Sequence, residues 1–391
     1  MSNVSLALQG LHHKISYWMG TRPAPPFSVA LSVTSLCNSR CATCNIWTVE
    51  NRKDEFETWE WEKLLARIGP NVRFYTYTGG EPFMREDLPE LLSLPFKYGN
   101  PHYLTLPTNC LLPERVRDHL ERFFEMLDGK KPGARIYCNL SVDGIGQRHD
   151  EIRGVEGNFD KVLRTIEYLR EIRNRRPELK IGIHTVISKF NINDIDSVYE
   201  YFLPLPCVDS MTCTIAEQRR ELNNMKKALT PSRDEFRKVV ATLVERLSKN
   251  ERLDKTVETL RISYYDFVDR WLATGRQPLP CFAGRASCQI SSDGKVLACG
   301  VRWFEEGFMG DLRETGYDFR KIWHSAKSDQ IRRSIRNLEC ACPLSHAYYS
   351  TLACNIIPSA KIYFKKVMLK RSPFHFKTDV DRQGTTRYNA L

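Results

Sequence analysis

The chain of 391 residues is 42% hydrophobic and 27% charged, which excludes a disordered chain, a coiled coil and a disulfide-stapled miniprotein. Its formal net charge of +11 is uneven: residues 1–26 carry Lys14 and Arg22 with no acid, and residues 355–377 carry Lys361, Lys365, Lys366, Lys370, Arg371 and Lys377 with no acid. Those segments hold eight of the eleven excess charges, so the middle is near balance and no nucleic-acid groove is expected through it. No run reaches the roughly 18 to 20 apolar residues of a membrane-spanning helix and no signal peptide opens the chain, so a soluble cytoplasmic protein is expected. In a reducing compartment, its thirteen cysteines point to metal before disulfides.

In chain order, Val4, Leu8, Leu11, Ile15, Trp18 and Met19 form the apolar stripe of an amphipathic helix. It has two readings. Either the stripe packs on the protein's own barrel, or it gives peripheral contact with an anionic membrane surface, helped by the basic C-terminal segment. From Phe27 to Glu217, strand-like runs (27–34, 72–78, 102–107, 135–142, 180–188, 208–216) alternate with helical patterns (58–68 capped by Thr58, 87–98, 113–127, 159–175, 194–202). Such alternation builds a parallel sheet whose functional groups gather at the C-terminal strand ends. A polar, basic stretch, 218–229, precedes a helix at 232–248, and 281–354 holds six cysteines. The expected division is an N-terminal extension (1–26), a barrel (27–230), a helical linker (231–280), a cysteine module (281–354) and a basic tail (355–391).

Directly after the first strand stand Cys37, Cys41 and Cys44, a CxxxCxxC on a loop. Three close thiolates without an equally close fourth favour a 4Fe-4S cluster with one open iron; a zinc site borrowing a distant cysteine is the alternative. The segment 27–217 resembles the radical S-adenosylmethionine (SAM) superfamily, which carries this motif after the first strand of a partial (β/α)6 TIM-like barrel. The resemblance implies that the open iron chelates SAM and that reductive cleavage yields a 5'-deoxyadenosyl radical, which abstracts hydrogen from substrate. Thr43 departs from the bulky residue usual before the third cysteine, so adenine packing must differ or rely on Ile46 and Trp47.

Thr78-Gly79-Gly80-Glu81-Pro82 resembles the motif that binds the methionine amino group; two glycines permit close backbone approach and a carboxylate complements an ammonium. By the same resemblance Ser141, with Asn109 and Asp143, contacts SAM from neighbouring strand ends. Arg153 has the charge to pair with the methionine carboxylate, or to cap a turn at the surface. Asp143 is the candidate catalytic base. His184 reads as a core histidine.

Cys281 and Cys299 flank a hairpin turn at Asp293-Gly294. The string CFAGRASCQISSDGKVLACG, with Gly310-Asp311-Leu312 and Ile322-Trp323 after it, is similar to the SPASM or twitch module of radical SAM enzymes. That implies one auxiliary 4Fe-4S cluster on Cys281, Cys299, Cys340 and Cys342. Because the sequence has CxC where CxxC is more usual, Cys354, or more remotely His346, is the substitute fourth ligand. A zinc site competes. Cys288, Cys110, Cys138, Cys207 and Cys213 read as packing residues.

The expected function is a radical SAM enzyme acting on an unactivated C–H bond of a small-molecule, lipid-linked or peptide substrate, fed by a flavodoxin- or ferredoxin-type donor. The 26 residues before Phe27 are short for a winged peptide-binding domain, which tilts the expectation from peptides. A peptide-modifying maturase is the nearer alternative; a non-catalytic iron-sulfur or zinc scaffold is the alternative of another class.

Overall fold

The computed structural model describes residues 3–49, 54–127, 133–250, 255–303 and 306–355; the basic stretch from Lys361 to Lys377 lies outside them. After helix α1 (Asn3–Met19), the strands β1 (Ser28–Thr34), β2 (Phe74–Gly79), β3 (Tyr103–Thr108), β4 (Arg135–Ser141), β5 (Leu179–Ile187) and β6 (Val208–Ile215) pair in parallel in chain order. Between them run α2 (Thr58–Ile68), α3 (Leu88–Tyr98), α4 (Pro113–Met126), α5 (Gln147–Arg153), α6 (Asn158–Arg175) and α7 (Ile195–Phe202). This is the arc of a partial (β/α)6 barrel. Its core joins alternate strand residues such as Leu104, Leu140 and Ile183 to helix residues such as Leu64, Val116 and Leu169, all fully buried.

Helices α8 (Arg233–Lys249) and α9 (Lys255–Thr274) lead to β7 (Ser287–Ile290), β8 (Lys295–Leu297) and β9 (Phe308–Asp311), followed by α10 (Phe319–Trp323), α11 (Ala326–Arg336) and α12 (Ser345–Cys354). Strand β7 pairs in parallel with β1, matching Val29 to Cys288, while β8 and β9 run antiparallel. One nine-stranded sheet, ordered β6-β5-β4-β3-β2-β1-β7-β8-β9, therefore carries both halves, with β1 buried along its whole length. The expected hairpin is present: Gly294 N–H donates to Ser291 O at 3.0 Å.

Three expectations need correction. The N-cap of α2 is Glu57; Thr58 lies inside the helix and its hydroxyl donates to Asp87. Helix α5 has no counterpart in the hydrophobic pattern read from the sequence, and it buries one apolar side chain, Ile152; α9 falls within the expected helical linker. The third concerns α1, whose apolar stripe does not face the barrel: Leu8, Leu11, Ile15, Trp18 and Met19 are 43–70% exposed. The opposite face packs instead. Arg285 donates to Ser16 O at 3.2 Å and Thr21 O at 3.0 Å, His13 meets Phe27 edge-on, and Tyr17 lies 4.8 Å from Phe282 between ring centroids. Among the described residues no helix is long and apolar enough to cross a membrane.

Candidate active site

The CxxxCxxC loop leaves the C-terminal end of β1 and is tied down on three sides. Gly80 N–H donates to Thr34 O and Glu81 N–H to Leu36 O, both at 2.7 Å. Gly79 has φ +122°, and a Cβ on Gly80 would fall 2.0 Å from Leu36 O, so neither position admits another residue without moving the loop. Glu55 receives Ser35 N–H at 2.6 Å and the Thr34 hydroxyl at 2.9 Å. Opposite, Arg40 and Ala42 N–H donate to Arg153 and Ile152 carbonyls at 3.1 and 2.8 Å.

Cys37, Cys41 and Cys44 are free, half-buried thiols. Burial pushes Cys37 up to about 11 and Cys44 up to about 12, and the charges of neighbouring members of the triad push both further the same way. Bare thiolates are therefore disfavoured here, and a cationic metal centre is what would ionise them. Among the described residues no three His, Cys, Asp or Glu side chains converge as the ligands of one ion do. A cluster spreads its thiolates over separate irons, and three soft donors on one short loop fit it.

The expected partners gather around this loop. Glu81 is 2% exposed; its Oε2 accepts Asn109 N–H at 2.7 Å and its Oε1 accepts Phe83 N–H at 3.2 Å, while burial pushes its carboxyl up to about 7. The carboxylate expected to meet the methionine ammonium thus also staples the ends of β2 and β3 together. Asn109 Nδ2 donates to Asn38 Oδ1 at 2.7 Å and reaches Cys37 Sγ at 3.9 Å. The pairing of Thr108 with Leu140 sets Ser141 beside Asn109.

Arg153, at the end of α5, is 7% exposed. Its Nη1 donates to Asp143 Oδ2 at 3.1 Å, whereas its buried Nε has no hydrogen-bond partner among the described residues. The charges of Cys41 and Asp143 outweigh burial and hold its pKa above the usual value. This orphaned donor beside the triad suits the carboxylate of an amino-acid ligand. Asp143, the expected base, is 1% exposed and tied on both oxygens, Oδ1 accepting Val186 N–H at 2.9 Å. Both of its oxygens thus already accept a hydrogen bond, one of them from Arg153.

His149, fully buried, accepts Asp143 N–H on Nδ1 at 3.2 Å and faces Asn158 Oδ1 through Nε2 at 3.1 Å, which places its proton on Nε2. Burial, and then Arg153, push it down to about 4. The unfolded chain takes a proton below about 6.5 while the folded chain does not, so this contribution is whole above pH 6.5 and is lost on acidification toward pH 4. Relative to His149→Gln, wild-type apoprotein is expected to lose about 2 kcal/mol between pH 6.5 and 5. Urea midpoints at both pH values measure it; parallel shifts in the two proteins contradict it. His184, hydrogen-bonded to Thr212 and Thr214, is likewise held neutral by burial.

The second thiol group lies across the sheet. Cys281, Cys299, Cys340 and Cys342 line one small cavity, together with Gln277 and Arg302. Cys342 N–H donates to Gln277 Oε1 at 3.1 Å, Arg302 N–H donates to Cys299 Sγ at 3.4 Å, and the buried Arg302 Nε has no partner among the described residues. Four thiols around an open space with a guanidinium beside them fit an anionic cluster. Cys354 instead packs with Tyr17, Phe27 and Phe282, and His346 hydrogen-bonds Ser28, so neither lines the cavity. Cys288 is fully buried among core side chains.

The polar stretch 217–229 has a role that the sequence reading did not assign. It walls the triad: Asn45 N–H donates to Leu222 O, Lys227 Nζ to Ala42 O and Asn224 Nδ2 to Thr43 O, at 2.8–2.9 Å. It also holds Arg219 within electrostatic reach of both thiol groups, where its charge is felt by Cys44 and Cys342 alike. Arg219 pairs with Glu221 at 3.3 Å and lies 3.8 Å from Glu217. Burial pushes Glu217 up to about 7. Four charged residues in five, Glu217, Arg219, Arg220 and Glu221, just past a C-terminal strand end, are the signal that could have found them.

Residues 31–202 match the model of the radical SAM superfamily, and residues 281–343 match that of an iron-sulfur cluster-binding domain, SPASM. The chain is 28% identical over 329 residues to an Fe-coproporphyrin III synthase of Methanosarcina barkeri, covering 79% of this chain and 76% of that one. It is 27% identical over 312 residues to a PqqA peptide cyclase of Rhodopseudomonas palustris, covering 78% and 74%. Among solved structures, Streptococcus suis SuiB bound to S-adenosylmethionine superposes with a TM-score of 0.56 at 18% identity, covering 79% of this chain and 68% of that one, a likeness of fold.

Proposed function

Because the chain is a member of the radical SAM superfamily and carries a SPASM iron-sulfur cluster-binding domain, we propose that this enzyme oxidises an unactivated C–H position of its substrate and uses a single auxiliary 4Fe-4S cluster. When bound at the triad, the cluster and SAM supply the 5'-deoxyadenosyl radical that removes the substrate hydrogen. The observation that carries the reading is the convergence of Cys37, Cys41 and Cys44 with Asn109 and with Arg153 at the end of α5, whose Nε has no partner among the described residues. A scaffold has no use for that donor.

In this reading Cys37, Cys41 and Cys44 hold the SAM-binding cluster. Arg153 takes the methionine carboxylate, Gly79, Gly80 and Glu81 meet the amino group, and Asn109 and Ser141 hydrogen-bond the rest of SAM. Asp143 positions Arg153. Cys281, Cys299, Cys340 and Cys342 hold the auxiliary cluster, since four thiols line that cavity and the other cysteines of the module pack elsewhere. The substrate sits between the two thiol groups, against Glu217 and Arg219, where a half-buried carboxyl held near neutrality is suited to accept a proton.

A small-molecule or lipid-linked substrate is the first reading, in keeping with the likeness to an enzyme named for Fe-coproporphyrin III. A peptide is the second, favoured by the likeness to a PqqA peptide cyclase. Electrons come from a flavodoxin- or ferredoxin-type donor. Anaerobic reconstitution followed by dithionite reduction tests the class: about eight irons per chain are expected for two cubanes, with an EPR signal that SAM perturbs and release of 5'-deoxyadenosine. About four irons with turnover remove the auxiliary cluster; absence of SAM cleavage removes the enzyme reading in favour of a scaffold.

A further inference from the structure

The exposed face of α1 has no role in the site just described. Leu8, Leu11, Ile15, Trp18 and Met19 form one stripe along three turns, and the two largest, Trp18 and Met19, are 67% and 70% exposed. The helix is nevertheless firmly seated by its other face. It crosses α12 at Gly10, where a Cβ would fall 2.4 Å from Ala353 O, and Arg285 holds its C-terminal turn. An apolar stripe displayed by an anchored helix is a surface prepared for a partner.

Charge selects that partner. Residues 1–26 contain Lys14 and Arg22 and no acid. The chain leaves α12 at Asn355 beside this helix, close enough that the Lys14 charge is felt at Cys354, and its next 22 residues carry six more cations and no acid. Arg22 is paired with Asp329 at 3.0 Å, so the surplus charge beside the stripe comes from Lys14 and from those six cations, and the helix offers them no acid. An anionic lipid surface complements both, accepting the stripe among its acyl chains and the cations at its headgroups. We propose that α1 and the segment that follows α12 dock the enzyme on an anionic membrane surface, with Leu8, Leu11, Ile15, Trp18 and Met19 inserted. This goes beyond the catalytic reading and does not depend on it.

The orientation follows from the packing. Helix α1 touches Phe27, Asn71 and Arg285, which precede β1, β2 and β7, so it lies at the N-terminal strand ends. The CxxxCxxC loop leaves the opposite end of β1.

Flotation of the reconstituted full-length protein with vesicles tests the proposal. Binding is expected to vesicles containing phosphatidylserine, to weaken as salt rises, and to be lost on pure phosphatidylcholine. The variant Leu11→Glu/Ile15→Glu/Trp18→Glu, altered only at exposed positions, should bind at least about tenfold more weakly with unchanged iron content and melting temperature. Each of Lys361, Lys365, Lys366 and Lys370 changed to Gln should weaken binding about fivefold. Absence of a vesicle-bound fraction at low salt overturns the proposal. So does undiminished binding by the triple variant, and so does a wild-type dimer in sedimentation that the triple variant dissolves, which would assign the face to a second copy.

Discussion

Replacing Cys37, Cys41 and Cys44 together by alanine is expected to abolish SAM cleavage and to leave about half of the reconstituted iron in place. The two thiol groups are built by different loops. The triad hangs from the end of β1 and is pinned by the Gly79–Glu81 backbone, whereas Cys281, Cys299, Cys340 and Cys342 line a cavity formed by the segments around β7, β8 and α12. In the proposed assignment neither group lends a ligand to the other, so removing one should not empty the other. Iron and sulfide analysis with EPR reads the outcome. Complete loss of iron would mean that the C-terminal cysteines hold no cluster of their own, and retention of zinc there would replace the auxiliary cluster by a structural ion.

Asp143→Asn is expected to have the largest effect of any single substitution outside the thiols. It leaves the buried Arg153 guanidinium without its carboxylate, and breaking one side of a buried ion pair costs about 3–5 kcal/mol. The neutral amide also presents a donor where Val186 N–H or Arg153 Nη1 needs an acceptor. Two measurements separate positioning from base catalysis. If Asp143 acts through Arg153, the variant loses SAM affinity and also loses the 5'-deoxyadenosine formed under dithionite without substrate. If Asp143 takes a substrate proton, that uncoupled cleavage survives and product formation alone disappears. Glu217→Gln should show the second pattern, because its carboxyl faces Arg219 and its charge is felt at Cys342, whereas the partner of Arg153 is Asp143.

Most of the barrel was legible because its strands and helices obey strong periodicities. The runs around Ser28, Phe74 and Arg135 became strands within a residue or two of their expected bounds. The CxxxCxxC and GGEP motifs were legible for a different reason: thiol spacing and paired glycines are rare enough to carry meaning one strand apart. What stayed hidden was tertiary. The apolar stripe of α1 announced a helix but not which side would pack, because Arg285 and Phe282, far along the chain, supply a surface that prefers Ser16 and Tyr17. Helix α5 buries only one apolar residue, so periodicity had nothing to register. The charged stretch after β6 read only as polar and basic, because its contacts with Ala42, Thr43 and Asn45 span roughly 180 residues of sequence, beyond the reach of local pattern reading.

The continuity of the sheet through β1 has a mechanical consequence. A strand hydrogen-bonded on both edges, to β2 on one side and β7 on the other, leaves no hinge between the barrel and the cysteine module. The two halves cannot rock apart to admit a substrate as lobes joined by a linker do. The 217–229 wall, by contrast, is held to the triad loop by single hydrogen bonds and not by a strand ladder. The same seam makes the halves poor candidates for separate expression: a barrel ending before β7 would bare the edge of β1 and invite intermolecular strand pairing.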